Sequence, residues 1–230
     1  MVGVWDPFGT IGNALWIGGG QWAGKSTVAN LLAERYAITA YHYDYHDARG
    51  HWDRSTAAAV RREETPREFD AERYWVGSTV EQMAGFCRRS WPERLEYTLD
   101  DLRALVGPYP VLVEGWGLRP ELVAPLLDSP RRMAVMVAGE DFQQHQASTV
   151  DRARGLRKSV SDPAAAQRNR LARDRLLADE AADSARRLGI AVYTVDGTRD
   201  AEAMADALAE QFAPYLPEPR NPLATRAASA

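Results

Sequence analysis

The stretch from Gly19 to Ser26 constrains the fold of this chain more than any other part of its sequence. It reads GGQWAGKS and fits the phosphate-binding pattern G-x-x-x-x-G-K-[ST]. An apolar run at 14–17 precedes it and predicts a strand, and residues 28–36 after it carry apolar side chains at helical spacing. Because such a loop joins a strand to a helix, the order of these elements predicts a phosphate site.

The residue types in this loop suit a nucleoside triphosphate. Glycines let successive backbone N–H groups point at phosphate oxygens, and the following helix adds the positive end of its dipole. Lys25 is expected on the β- and γ-phosphates and the Ser26 hydroxyl on Mg²⁺, although a glycine-rich turn without a ligand is the alternative. The chain has 28 basic residues but only two lysines, Lys25 and Lys158, so lysine is kept where a compact charge meets phosphate. The predicted nucleotide-binding residues are Gly19, Gly20, Gln21, Trp22, Ala23, Gly24, Lys25, Ser26 and Thr27.

Composition narrows the class of protein. The 230 residues are 45% hydrophobic with a formal net charge of −4, which favours one globular domain and argues against a general nucleic-acid binder. The lone Cys87 forms no internal disulfide, and no cysteine–histidine spacing indicates structural zinc. Asp6 and Pro7 interrupt any signal pattern at the N-terminus, so we expect a cytoplasmic protein. No apolar run is long enough to cross a bilayer, so we expect it to be soluble and without a membrane partner. Residues 1–13 are predicted to be an irregular leader and 214–230 a flexible tail.

Between these ends, apolar strands alternate with helical stretches. Predicted strands at 38–43, 111–113, 133–137 and 190–195 follow the first one, which indicates an α/β fold with a parallel sheet between two helical layers. The segment 45–106 is too long for a simple connection and is predicted to be a helical insertion, with helices near 74–86 and 95–105. The expected organisation is one domain over 1–213.

Ligands of open parallel sheets bind beyond the carboxyl ends of the strands, so the residues that close each strand are candidates. Asp44 closes the second strand and is predicted to accept a proton from an acceptor hydroxyl or to hold the water shell of the metal; a helix cap is the alternative. Glu114 closes the third and is predicted to hold Mg²⁺, although it could equally bond the acceptor or lie in a solvent-facing turn. The turn at 195–198 either borders the nucleotide base or is an ordinary turn.

The helix predicted near 167–188 places charged side chains on its apolar stripe. Arg170 and Asp174 lie on the stripe and Arg173 at its edge. One interpretation is an intrahelical pair of Arg170 with Asp174. The other is a lid over about 145–173, in which arginines stabilise charge on the transferring phosphoryl group. The preceding segment adds Arg152, Arg154 and Arg157 to this lid.

The insertion mixes planar cations with large rings. Such a wall could stack a ring or grip an anionic acceptor, or it could be the core of the insertion with a solvated face. Its members are Arg61, Arg62, Arg73, Arg88, Trp52, Tyr74, Trp75 and Trp91.

With GGQWAGKS, YHYD, VLVEG and RNRLARD in this order, the chain resembles the small-molecule branch of P-loop kinases over roughly residues 14–213. That branch includes nucleoside, nucleotide and shikimate kinases and the chloramphenicol phosphotransferase type. The resemblance implies ATP and Mg²⁺, Lys25 and Ser26 on the triphosphate and metal, Asp44 as acceptor-side base, and Arg170 or Arg173 in the lid. The bulky Trp22 inside the loop and the lack of an acceptor signature depart from the pattern.

The predicted function is phosphoryl transfer from ATP to a hydroxyl of a small molecule such as a natural product, antibiotic or metabolite. A nucleoside or nucleotide kinase is the first alternative. The second is an ATP-binding switch or sensor without a small acceptor; neither lysine lies in the Asn-Lys-x-Asp element that GTPase switches use for guanine. The oligomeric state is left open between monomer and homodimer.

Overall fold

The computed structural model describes residues 4–65, 68–149 and 160–220. Its centre is a five-stranded, all-parallel sheet with the order β2-β3-β1-β4-β5. All five predicted strands are present, within one or two residues of their predicted ends. They are β1 (Leu15–Gly19), β2 (Thr39–His42), β3 (Val111–Glu114), β4 (Met133–Ala138) and β5 (Ala191–Val195).

Helices connect the strands and cover both faces of the sheet. The longest are α6 and α9, with 24 and 25 residues, and α6 packs on α9. A π-helical turn, Asp47–His51, joins α3 to α4. The helices are α1 (Thr10–Asn13), α2 (Lys25–Tyr36), α3 (Tyr43–His46), α4 (Trp52–Arg61), α5 (Ala71–Trp75), α6 (Val80–Arg103), α7 (Pro120–Val123), α8 (Glu140–Thr149), α9 (Pro163–Arg187) and α10 (Ala201–Phe212).

Successive side chains of β1 point to opposite faces of the sheet, and the hydrophobic core is divided between these two faces. Leu15 and Ile17 pack with residues of α2 and α10, whereas Trp16 packs on the other face with residues of α6 and α9. All three side chains are fully buried, as a central parallel strand requires. The architecture is therefore the three-layer α/β P-loop fold that the sequence predicts, with β1 leading into the phosphate loop at the centre of the sheet.

Several predicted elements differ from the structure. The two helices expected near 74–86 and 95–105 are replaced by short α5 and by one continuous α6, because a capping box between Thr79 and Gln82 starts that helix and Pro92 does not end it. The leader contains α1, which buries Ile11. Tyr215 and Leu216 of the expected tail pack against the core, whereas 221–230 lie outside the described residues.

The predicted lid is described only in part. Its first residues belong to α8 and its last to α9, and Arg152, Arg154 and Arg157 lie outside the described residues. Within the described ranges, no helix is both long and apolar enough to cross a bilayer.

Candidate active site

The phosphate loop spans the gap between the end of β1 at Gly19 and the start of α2 at Lys25. Gly19 has a φ of 116°, and a Cβ there would lie 2.1 Å from the carbonyl oxygen of Met136, so only glycine fits. Gly24 is the N-cap of α2. The first-turn N–H groups of a helix have no intrahelical acceptor and attract anions, so this end of α2 is suited to phosphate oxygens.

Lys25 is buried in this loop, with 5% of its surface exposed. Its Nζ donates a hydrogen bond of 2.7 Å to the carbonyl oxygen of Gly20. A cavity of about 60 Å³ adjoins it. The cavity is lined by Gln21, Trp22, Gly24, Lys25, Ser26, Thr27 and Asp44. The structure thus brings the predicted phosphate ligand and the predicted base to one small cavity.

Glu114 lies at the end of β3, fully buried beside the first turn of α2. Its Oε1 accepts hydrogen bonds from Ser26 Oγ at 2.9 Å and from His42 Nδ1 at 2.7 Å. The bond to Glu114 raises the pKa of His42 above its usual value, and burial opposes this only in part. Its other oxygen, Oε2, is buried without a hydrogen-bond partner among the described residues.

This oxygen set fits a magnesium ion. Mg²⁺ prefers hard oxygen ligands and is usually held by one or two carboxylates together with water and substrate phosphates. The unpartnered Oε2 of Glu114 and the adjacent Ser26 hydroxyl supply such ligands. In the described part of the chain, no group of three or more His, Cys, Asp or Glu side chains could hold a metal by itself. An ion here would therefore take further ligands from phosphate and water.

Asp44 lies in the first turn of α3 and faces the phosphate loop. Its Oδ1 accepts a hydrogen bond of 3.1 Å from the backbone N–H of Trp116. Burial raises the pKa of Asp44 to about 6, with the Glu114 carboxylate adding to the rise and Lys25 opposing it. Such a carboxylate exchanges its proton near neutral pH.

Tyr43 fixes the place of Asp44 through very close packing. Its ring lies against the backbone of Gly115 and Gly117, and a Cβ at Gly117 would be 2.3 Å from the Tyr43 hydroxyl oxygen. The run EGWG, which begins at the last residue of β3, therefore makes three kinds of contact. Glu114 accepts a hydrogen bond from Ser26, the Trp116 N–H donates one to Asp44, and Gly115 and Gly117 leave room for the Tyr43 side chain. The sequence predicts Ser26 and Glu114 as ligands of the same metal and a close approach at Gly115, but not the hydrogen bonds from Ser26 to Glu114 and from Trp116 to Asp44.

Trp22, in the middle of the loop, is the least expected feature of the site. Its φ of 69° lies in the left-handed region, which costs a bulky residue about 1–2 kcal/mol. The side chain is 3% exposed, and its Nε1 donates a hydrogen bond of 2.9 Å to Oδ2 of Asp174. The guanidinium of Arg170 lies 4.9 Å from the ring centroid. The loop is thereby attached to α9, which no motif in the sequence indicates.

The two lid arginines have different environments. The predicted pair of Arg170 with Asp174 is present, with Nε 4.0 Å from Oδ2. Arg173 is only 6% exposed and bonds Oδ1 of Asp174 and the hydroxyl of Tyr74. Its guanidinium lies 4.9 Å from the Trp75 ring and 5.0 Å from the Trp116 ring. It is not among the described residues that line either cavity at the loop, so the structure places it as a buried cation in a ring cage.

A larger cavity, of about 530 Å³, lies on the other side of the loop. Its walls come from the loop, from the turn after β5 and from α8 and α10. They include Trp22, Gly24, Thr27, Met136, Phe142, Val195, Gly197 and Met204. The turn at 195–198, in which Asp196 accepts from the N–H of Thr198, therefore does border a cavity of nucleoside size.

The predicted wall of arginines and rings in the insertion is not one surface. Arg62 pairs with Glu64, and Arg88 pairs with Glu81 and Glu180. Tyr74 and Trp75 surround Arg173 instead, and Trp91 is buried edge-on against Trp116. Four of these eight residues, Arg88, Tyr74, Trp75 and Trp91, pack the insertion against α9.

Comparisons with known proteins give little beyond the fold. No family model matches the chain, and no curated protein matches it. Among solved structures, it is similar to a shikimate kinase from Acinetobacter baumannii in complex with shikimate, with 17% identity and a TM-score of 0.46 over 90% of this chain and 96% of that one. Functional assignment therefore depends on the residues of the site.

Proposed function

We propose that this protein is an ATP- and Mg²⁺-dependent kinase that transfers the γ-phosphoryl group to a hydroxyl of a small molecule. One observation carries the proposal: Lys25 and Asp44 line the same small cavity at the N-terminus of α2. A phosphate-binding lysine alone would suit any nucleotide-binding protein. A carboxylate with a raised pKa on the opposite wall adds the group that an acceptor hydroxyl needs.

The two cavities would bind different parts of ATP, the phosphoryl donor. Phosphate groups fit the small cavity, where Lys25 and the backbone N–H groups of the loop supply positive charge. The base and ribose fit the larger cavity, whose apolar walls include Met136 and Phe142 and whose rim carries Arg199 and Asp200. Both cavities are lined by Trp22, Gly24 and Thr27, so the two parts of one nucleotide would lie against the same segment of the loop.

Ser26 and Glu114 are the residues that would hold magnesium. When bound, the ion neutralises charge on the β- and γ-phosphate oxygens. The Nδ1 hydrogen bond of His42 holds the same oxygen, Oε1, that accepts from Ser26. This second contact orients the carboxylate before any ion arrives.

Asp44 is the proposed acceptor-side base. The acceptor oxygen bonds to the γ-phosphorus as the bond from that phosphorus to the bridging oxygen breaks, ADP leaves, and the hydroxyl proton goes to an oxygen of Asp44. The Trp116 N–H holds Oδ1 and thereby orients the carboxylate toward the cavity. Positioning and charge neutralisation supply most of the rate in such transfers. Arg170 lies over the Trp22 ring and, like Arg173, is not among the described residues that line the two cavities.

The test is ADP release from Mg-ATP with pools of nucleosides, nucleotides, sugars and hydroxylated antibiotics. Wild type should be stimulated by at least one pool, and Lys25→Ala by none. Circular dichroism of the variant shows whether it keeps the fold. If ATP binds and no pool stimulates ADP release, the proposal of a small-molecule kinase fails and a sensor that binds ATP takes its place.

A further inference from the structure

A buried chain of contacts connects the phosphate loop to the helical insertion. It starts at the indole N–H of Trp22, which donates to Oδ2 of Asp174. Oδ1 of the same carboxylate accepts from Nε of Arg173 at 3.0 Å. Nη1 of Arg173 donates to the hydroxyl of Tyr74 in α5, also at 3.0 Å. Four side chains thus join the loop, α9 and the insertion.

The environment of these contacts makes them strong. Trp22, Arg173 and Asp174 are 3%, 6% and 1% exposed, so water does not compete for their hydrogen bonds. Arg173 also lies between the rings of Trp75 and Trp116. Each carboxylate oxygen of Asp174 has its own donor, and a movement of Asp174 would break the bond to the loop or the bond to Arg173.

The backbone of Trp22 explains why the loop needs such a contact. A φ of 69° is unfavourable for a residue with a large side chain, and a loop left to itself would relax. The neighbouring N–H groups bind phosphate only while the loop keeps its curvature. The hydrogen bond to Asp174 opposes this relaxation because it holds the indole in the position that it has in the strained conformation.

We propose that the Arg173–Asp174 pair is a positioning element through which the insertion sets the conformation of the phosphate loop, with Trp22 as its point of attachment. The inference rests on the proposed function, since its readout is the affinity for Mg-ATP. Neither Arg173 nor Asp174 is among the described residues that line the two cavities, so their effect on nucleotide binding would be transmitted through Trp22.

The first test uses a matched pair of tryptophans. Trp22→Phe keeps a ring and removes the N–H that bonds Asp174. Trp16→Phe makes the same change in the core, where the buried Nε1 has no hydrogen-bond partner among the described residues. By calorimetry, Trp22→Phe should weaken Mg-ATP binding about tenfold and Trp16→Phe less than twofold. If the two variants bind Mg-ATP equally well, the inference is wrong.

The second test starts from the far end of the chain of contacts. Tyr74→Phe removes only the hydroxyl that bonds Arg173, and Tyr97→Phe is its control because that hydroxyl bonds Glu93 instead. Tyr74→Phe should weaken Mg-ATP binding by about two- to fivefold, and Tyr97→Phe should not change it. In the Trp22→Phe background the Tyr74→Phe effect should be smaller, because the hydrogen bond from the loop to Asp174 is already lost while the contact through Arg170 remains. Full additivity of the two changes would overturn the proposed route.

Asp174→Asn repeats the first test if Trp22→Phe does not fold. The amide leaves one oxygen to serve both Trp22 and Arg173, and it should weaken Mg-ATP binding by a similar factor. Failure of the proposed function looks different from failure of this inference. In the first case wild type itself does not bind Mg-ATP, which removes both proposals; in the second, wild type and all variants bind it alike.

Discussion

Ser26 and Glu114, which are 88 positions apart in the chain, are joined by a hydrogen bond of 2.9 Å from Oγ to Oε1. The bond brings the first turn of α2 to the end of β3, the strand next to β1 in the sheet. The second oxygen of the carboxylate remains buried and unpartnered among the described residues. The Ser26 hydroxyl and Oε2 of Glu114 are oxygen ligands of the kind that Mg²⁺ takes from a protein when it is bound to a nucleotide.

Glu114→Gln should therefore abolish the contribution of magnesium to nucleotide binding. The amide keeps the shape of the side chain and can still accept from Ser26, but it removes the charge. We expect ATP without metal to bind as in wild type. The gain in binding free energy on adding Mg²⁺ should fall by about 1–3 kcal/mol. Calorimetric titrations with and without Mg²⁺ measure this difference. An unchanged gain would show that the ion is held elsewhere.

Lys25→Ala should remove the protection that ATP gives against thermal unfolding. At 100 times its dissociation constant a ligand stabilises the folded state by about 2.7 kcal/mol, or roughly 5–10 °C for a chain of this size. Loss of the buried ammonium leaves the phosphates without their closest cation, so the shift should vanish. Differential scanning fluorimetry measures it, and the variant's own melting curve without ATP is the control. Undiminished protection would contradict the assignment of Lys25 to phosphate.

Asp44→Asn should lower phosphoryl transfer by about 10²–10⁴-fold and leave ATP affinity nearly unchanged. Asp47→Asn is the control, because Asp47 lies one turn further on and contacts Arg94. The acidic limb of the pH–rate profile, expected at the pKa of about 6 of Asp44, should disappear with the carboxylate. An equal loss of transfer and ATP affinity would identify Asp44 as a structural residue instead.

The same change should make the protein more stable at neutral pH. The pKa of Asp44 is raised in the folded state, so ionising this carboxyl costs stability as the pH rises through about 6. Asn carries no such cost, and Asp44→Asn should raise the free energy of unfolding at pH 8 by on the order of 1–3 kcal/mol, with little effect at pH 4. Urea denaturation at the two pH values provides the comparison. A variant that is less stable than wild type at pH 8 would refute the stated cause of the raised pKa.

Gly117→Ala should destabilise the fold and displace Asp44. The new Cβ would lie 2.3 Å from the Tyr43 hydroxyl oxygen, and relief of that clash should cost about 1–3 kcal/mol. Gly107→Ala is the matched control, since a Cβ there meets no heavy atom within 4 Å. Denaturant midpoints compare the two variants. Equal stability of both would mean that Tyr43 moves aside without cost.

The sequence predicts the strands, the loop and the carboxylates of the site better than the side-chain contacts between distant segments. Five strands, the loop and the placement of Asp44 and Glu114 at strand ends follow from apolar runs and from one motif, since parallel strands leave little choice of where such residues lie. The bond of Trp22 to Asp174 crosses 152 positions, and no local pattern encodes a contact at that distance. The sequence places Arg173 at the edge of an apolar stripe, and the resemblance to P-loop kinases assigns Arg170 or Arg173 to a lid. The ring cage of Arg173 depends on Tyr74, Trp75 and Trp116, which come from two other parts of the chain.

The lining that the two cavities share has a consequence for inhibitor chemistry. Trp22, Gly24 and Thr27 line both cavities, of about 60 and 530 Å³, so a ligand at either one meets the same part of the loop. A compound with a compact anionic head and a flat aromatic tail could contact both cavities without carrying a triphosphate. The head would meet Lys25, and the tail would lie near Phe142. Fragments found separately for each cavity could be linked over Gly24, where the main chain offers no side chain in the way.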